Sequence, residues 1–295
     1  MEKQQYSLAG ALEGFGKCYD VAHSIWVERV GLPSEHKELL QSAVNSLLYF
    51  TRYAHERAGR NPSFPLYHRI AIVKAYKEEG DVISPTFANR VWERFEKLTP
   101  YDAKKGRYKT NEKLTKEPVC KVLEKLREGG EANLIKYLRG RSLKEAHKWL
   151  CGFRGIGNKV ASLLLRDIWC YIGEWPDTPT SDHKFLQPID VWVRLLSREA
   201  FPMSNWPLGD LAFAEQLVNH CKSTGIDPIE FNKGTWFVGS HFYRLCHFFK
   251  IAEEERFDYE RNQVDYGVAK DFDATAVLEG ITDFRGLEAK GIFWV

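Results

Sequence analysis

Lys159 and Asp190 stand in settings that suit covalent chemistry. Lys159 follows Arg154-Gly155-Ile156-Gly157-Asn158 and leads into the apolar run Val160-Ala161-Ser162-Leu163-Leu164-Leu165. That order predicts a tight turn around Ile156, which packs inward, and then a helix with lysine in its first turn. Glycine accepts the positive φ angles such a turn needs. It also bares backbone N–H groups at a helix N-terminus, where orphan donors and the helix dipole attract phosphate. A cation at that end opposes the dipole. As a neutral amine, a lysine there would be a nucleophile able to form a Schiff base. Asp190 follows Gln187-Pro188-Ile189 and precedes Val191-Trp192-Val193-Arg194, near the start of a further helix. Each residue also has an ordinary reading: a lysine on a helix is commonly solvated, and an aspartate at a helix start commonly caps it.

Nearly all the apolar spacing along the chain is helical. Tyr19, Ala22, Ile25 and Trp26 recur at helical intervals, as do Leu39, Leu40, Val44, Leu47 and Leu48, and again Val119, Val122, Leu123 and Leu126. Breakers separate these stretches at Gly31-Leu32-Pro33-Ser34, Gly59-Arg60-Asn61-Pro62-Ser63, Gly129-Gly130 and Trp175-Pro176-Asp177-Thr178-Pro179-Thr180. Alternating strands are scarce, with one short extended stretch expected near 291–295. The fold class expected is all-α.

Composition narrows the function classes. A chain of 295 residues with 44% hydrophobic and 28% charged residues is that of a soluble globular protein. No run approaches a membrane span, and the N-terminal MEKQQYSLAG lacks a signal-peptide core, so a cytoplasmic, intracellular protein is expected. The cysteines at 18, 120, 151, 170, 221 and 246 form no C-x-x-C pair, and reduced thiols are the expectation. His220-Cys221 and Cys246-His247 offer four potential zinc ligands, without the short-range spacing of zinc sites. No metal and no cofactor are expected. Net charge is only +2, yet 102–148 holds fourteen Lys and Arg against seven Asp and Glu, while 251–295 holds five against eleven. A basic stretch leading into the glycine turn suits a DNA-facing surface, with the acidic tail turned away. Solvated helix faces carry such charges equally well.

Gly155-Ile156-Gly157-Asn158-Lys159-Val160-Ala161, followed by Pro188-Ile189-Asp190-Val191-Trp192-Val193-Arg194, resembles the helix-hairpin-helix DNA glycosylases. That superfamily includes endonuclease III, the adenine glycosylase acting opposite oxidised guanine, and the 8-oxoguanine glycosylases. The resemblance implies that Lys159 attacks the sugar and Asp190 assists, while Arg154, Gly155, Ile156, Gly157 and Asn158 grip the DNA backbone. It also implies two helical lobes: a barrel lobe at 41–185 ending in the hairpin, and a second lobe built from 1–40 plus 186–295. An active-site cleft between them would receive a base extruded from the stack, because the reactive sugar carbon is inaccessible inside a duplex.

Phe231-Asn232-Lys233-Gly234-Thr235-Trp236-Phe237-Val238-Gly239 is similar to a helix of the adenine-excising and archaeal 8-oxoguanine enzymes. By position it implies that Trp236 stacks on the extruded base and Asn232 hydrogen-bonds it, the two lying on one helix face. Core packing is the ordinary alternative for Trp236. The spacer between Lys159 and Asp190 is long, as in the archaeal 8-oxoguanine group, although Val191-Trp192 departs from the small residue or histidine common there. Endonuclease III and its adenine-excising relatives carry four closely spaced cysteines for an iron–sulfur cluster; here only Cys246 lies beyond 240, so that cluster cannot be built. The expected function is a monomeric base-excision-repair glycosylase with AP lyase activity on double-stranded DNA containing a damaged base, 8-oxoguanine first, and with no membrane partner. Two alternatives remain open: a monofunctional glycosylase for alkylated, deaminated or mismatched bases, and a non-catalytic helix-hairpin-helix module.

Overall fold

A computed structural model describes residues 8–29, 31–33, 35–55, 64–98, 107–175, 178–202 and 205–239. Cys246-His247, the acidic stretch 251–295, the extended stretch at 291–295 and positions 102–106 of the basic stretch lie outside the described residues. Among the described residues every regular element is helical: α1 Leu8–Gly14, α2 Gly16–Arg29, α3 Ala43–Ala54, α4 Phe64–Glu79, α5 Phe87–Leu98, α6 Arg107–Glu128, α7 Leu134–Arg139, α8 Leu143–Cys151, α9 Asn158–Tyr171, α10 Val191–Ala200, α11 Asp210–Ser223 and α12 Pro228–Phe237. Two 3₁₀ helices, His36–Leu40 and Thr180–Leu186, complete the set. The protein is all-α over this range. No helix in it is long and apolar enough to cross a membrane.

Contacts divide the chain into a central unit, 27–188, and a terminal unit made of 1–26 and 189–295. Residues 27–40 fall with the central unit. Leu39 is fully buried, and its carbonyl accepts a hydrogen bond from Asn133 Nδ2 at 2.7 Å, tying the first 3₁₀ helix to the start of α7.

Within the central unit α9 is the axial element, touching α3, α8 and the second 3₁₀ helix. Its residues from Val160 to Ile168 are all buried, so it is enclosed on every side rather than along one stripe. Two charges inside that run are kept by pairing. Arg166 and Asp167 are both fully buried and bonded to each other at 3.1 Å, and Tyr53 of α3 donates to Asp167 Oδ2 at 2.9 Å. A buried charge without such partners would be strongly unfavourable. α8 enters through a capping box: Ser142 Oγ accepts from Glu145 N–H, and Glu145 accepts from Ser142 N–H at 3.0 Å.

The terminal unit packs α1, α10, α11 and α12 around Leu12, Val193, Phe213, Leu217 and Phe231. Gly234 sets the approach of α12 to α1, because a Cβ there would overlap the Leu12 carbonyl oxygen. Lys233, only 2% exposed, reaches across to Asp20 of α2 at 2.8 and 2.9 Å and also meets Glu230 at 2.6 Å. Its ammonium is thereby held between two carboxylates inside the packing.

Candidate active site

The turn between α8 and α9 is built as its glycines require, though each glycine serves a different purpose. Gly155 has φ +100°, a conformation that side chains with a Cβ rarely adopt. It turns Ile156 inward, to 3% exposure, and Ile156 N–H closes the turn on the Phe153 carbonyl at 3.0 Å. Gly157 is exposed, with extended backbone at φ −101° and ψ −177°, and a Cβ on it would meet nothing within 4 Å. Its role is therefore not conformational. As the N-cap of α9 it offers no side chain to the first amides, and the first helical bond runs from Ala161 N–H to its own carbonyl at 3.0 Å. Asn158, Lys159 and Val160 precede that bond, so their amides point along the axis out of the helix start. Lys159 is the second residue of the helix and half-buried, Arg154 is exposed, and no acidic residue lies in the first turn.

These facts separate the two glycines experimentally. Gly155→Ala should lose about 1–2 kcal/mol of stability, the strain of a left-handed residue. Gly157→Ser should leave stability within a few tenths of a kcal/mol or raise it, since serine is a preferred N-cap. Urea unfolding of both variants checks this; equal losses would mean that the turn is not built on Gly155.

The two sides of the hairpin are stitched by side chains that sequence spacing alone did not single out. His147 of α8 is buried and hydrogen-bonds the backbone of Asn158. Cys151, one turn later, lies 3.8 Å from His147 Nδ1 and donates to Asn158 Oδ1 at 3.6 Å. Asn158, expected at the DNA backbone, thus also has a structural duty as a half-buried tie between the helices. Burial raises the Cys151 thiol to about 11, so it is protonated and not a nucleophile at neutral pH. Burial also lowers His147 to about 4, with the Asn158 backbone bond pulling weakly the other way. The spacing that carries this brace, His147, Cys151 and then Asn158, is readable in the sequence once a hairpin is assumed.

A depressed histidine makes stability depend on pH in a definite direction. The unfolded chain binds a proton near 6.5 and the folded one only near 4. The contribution is complete above the unfolded value and is lost as pH falls toward the folded one, on the order of 3 kcal/mol in all. The stability gap between the wild type and His147→Gln should narrow by about that amount between pH 7.5 and pH 4.5. Identical pH slopes for the two proteins would remove His147 from the account.

Asp190 is the N-cap of α10. Its Oδ1 accepts from Trp192 N–H and Val193 N–H, each at 3.0 Å, in a half-buried position. Pro188 and Ile189, both buried, hold the chain as it enters that cap. α10 packs against α12, and just beyond that helix Gly239 lies so close to Trp192 that a Cβ would overlap its side chain. The glycines of Phe231–Gly239 therefore have packing reasons, Gly234 against α1 and Gly239 against the helix that Asp190 begins. Of the two residues expected to meet a base, Trp236 is half-buried and stands edge-on to Tyr19, ring centroids 5.5 Å apart at 84°. Asn232 is fully buried, so a ligand would reach it only if α12 shifted.

Among the described residues no group of three or more His, Cys, Asp and Glu side chains is placed to hold a metal ion. Cys221 is buried, its thiol pushed up to about 12 mainly by that burial, and the His220 ring stacks against Phe201. No family model matches the chain, and no curated protein or solved structure matches it either.

Proposed function

We propose that the protein is a helix-hairpin-helix DNA glycosylase with AP lyase activity, acting as a monomer on duplex DNA with a damaged base. The observation that carries this reading is the α8–α9 turn. A left-handed glycine, an inward isoleucine and an N-cap without a side chain leave helix-start amides and an exposed arginine for one DNA phosphate, with an amine in the same turn. Phosphate contacts of this kind hold any sequence, so Gly157→Ser should weaken binding to all duplexes alike.

In the chemistry, the Lys159 amine adds its lone pair to C1′ as the bond from C1′ to the base breaks, the base leaving with the electron pair and taking a proton. Loss of a proton from nitrogen and opening of the sugar ring give an iminium. Removal of a C2′ proton then expels the 3′ phosphate by β-elimination, nicking the strand. The Asp190 carboxylate stabilises the positive charge that develops on the sugar and helps take the lysine proton. 8-Oxoguanine is the preferred lesion, with Trp236 offering an aromatic face and Asn232 a donor and an acceptor, the latter after a shift of α12.

The double hydrogen bond to Asp190 Oδ1 favours a second reading, in which this residue is only a cap and the hairpin a binding module. Duplexes carrying 8-oxoguanine, uracil, thymine glycol, an alkylpurine, a mismatch or an abasic site separate the readings when incubated with borohydride. A trapped covalent adduct, with base release from 8-oxoguanine DNA, is expected. Base release without an adduct would indicate a monofunctional glycosylase, and binding alone a non-catalytic module.

A further inference from the structure

We infer that Asp20 is a positioning residue for base recognition: through Lys233 it holds α12 so that the Trp236 ring stands where an extruded purine can stack on it. The inference rests on the base-stacking reading above. Among the described residues Lys233 is the one buried lysine, 2% exposed. An ammonium is strongly hydrated and is buried only where charged partners replace the water. Glu230 and Asp20 do so here, but with different consequences. Glu230, at 2.6 Å, lies one turn earlier on the same helix, so its contact places α12 against nothing. Asp20 lies on α2, and Lys233 Nζ donates to both of its carboxylate oxygens, at 2.8 and 2.9 Å. A forked contact of that kind fixes direction as well as distance.

The neighbours of this pair connect it to Trp236. Lys233 and Trp236 are three residues apart and share a face of α12. Tyr19, the residue before Asp20, meets Trp236 edge-on, and its own ring is backed by His23, stacked 6.2 Å away at 20°. One turn of α2 thus gives one turn of α12 both a charge contact and a ring contact. The other ties between α12 and the N-terminal helices are backbone approaches. A Cβ on Gly16 would overlap Glu230, one on Gly234 would overlap the Leu12 carbonyl, and Asp227 N–H donates to Glu13 Oε1 at 2.7 Å. Those contacts set how near α12 lies. The Asp20–Lys233 pair is the directional tie on the face that carries Trp236, which is only half-buried and so partly open to a base.

The test uses the full chain and compares two activities: base release from duplex DNA holding 8-oxoguanine, and nicking of a duplex with a preformed abasic site. The abasic site has no base to stack, so a displaced Trp236 costs it nothing. Asp20→Asn removes the charge and one acceptor at nearly the same shape. It should cut kcat/KM for base release about tenfold, as misplaced contacts do, and leave nicking within about twofold. Asp20→Glu, which keeps the carboxylate, should recover most of the loss. Glu230→Gln, which touches only the contact inside α12, should leave the ratio of the two activities as in wild type. If Asp20→Asn does not fold, Lys233→Met, of similar length and uncharged, should show the same selective loss. A folded Asp20→Asn or Lys233→Met that loses both activities in parallel would make the pair a purely structural tie and overturn the inference, as would an unchanged ratio. Wild type that nicks abasic DNA but releases no 8-oxoguanine would remove the base-stacking reading and this inference with it, leaving the lyase. Wild type with neither activity would remove the glycosylase reading as a whole.

Discussion

Lys159→Gln is expected to abolish the borohydride-trapped adduct and to cut strand nicking on the order of 10³-fold or more, the scale seen when a covalent nucleophile is removed. Glutamine keeps the polarity and most of the length of the side chain but has no amine to form an imine. Lys159 is the second residue of α9, half-buried, with no acidic side chain in its turn. Taking a cation away from the positive end of a helix dipole relieves about 0.3–1 kcal/mol. Binding of the variant to an uncleavable abasic analogue should largely survive. Nicking at the wild-type rate by Lys159→Gln would show that another group carries the chemistry.

On the proposed mechanism Asp190→Asn should lose on the order of 10²–10³-fold in base excision, because the carboxylate assigned to stabilise developing positive charge is replaced by a neutral amide. What makes the experiment sharp is the double cap. The two amide bonds run to one oxygen, Oδ1, and an asparagine carbonyl can accept both. Unfolding free energy should thus stay within a few tenths of a kcal/mol of wild type, whereas Asp190→Ala should lose about 1 kcal/mol with the cap. Wild-type excision by Asp190→Asn would reduce Asp190 to a cap and remove it from the mechanism.

Much of the helical framework was written locally. The stripe Val119, Val122, Leu123 and Leu126 is buried along α6, and Leu39, Leu47 and Leu48 are buried at and before α3. Such periodicity needs only the geometry of one helix, so a single sequence reveals it. The turn at 152–157 was legible for the same reason, since a glycine pair around an isoleucine restricts the backbone over a few residues.

The two glycines show where local reading stops. Side by side in sequence they look alike; only the burial of Ile156 assigns the left-handed angle to Gly155 and leaves Gly157 extended. The same holds for Lys233. Its charge suggests solvent, yet it is buried against Asp20, 213 residues earlier. Asn232 likewise occupies the helical position of a base contact and is fully enclosed.

By itself the sequence determined the helices, the α8–α9 turn, the lysine in its first helical residues and the aspartate that starts α10. These follow from side-chain periodicity, glycine freedom and capping, all of which act over one or two turns of chain. Only the tertiary structure decided the buried Arg166–Asp167–Tyr53 group, the His147–Asn158 brace, the contact of Gly239 with Trp192 and the Asp20–Lys233 pair. Each of these depends on which surfaces meet, and partners in packing are selected by shape and by the unfavourable cost of burying unmatched polar groups, neither of which leaves a fixed spacing in the chain.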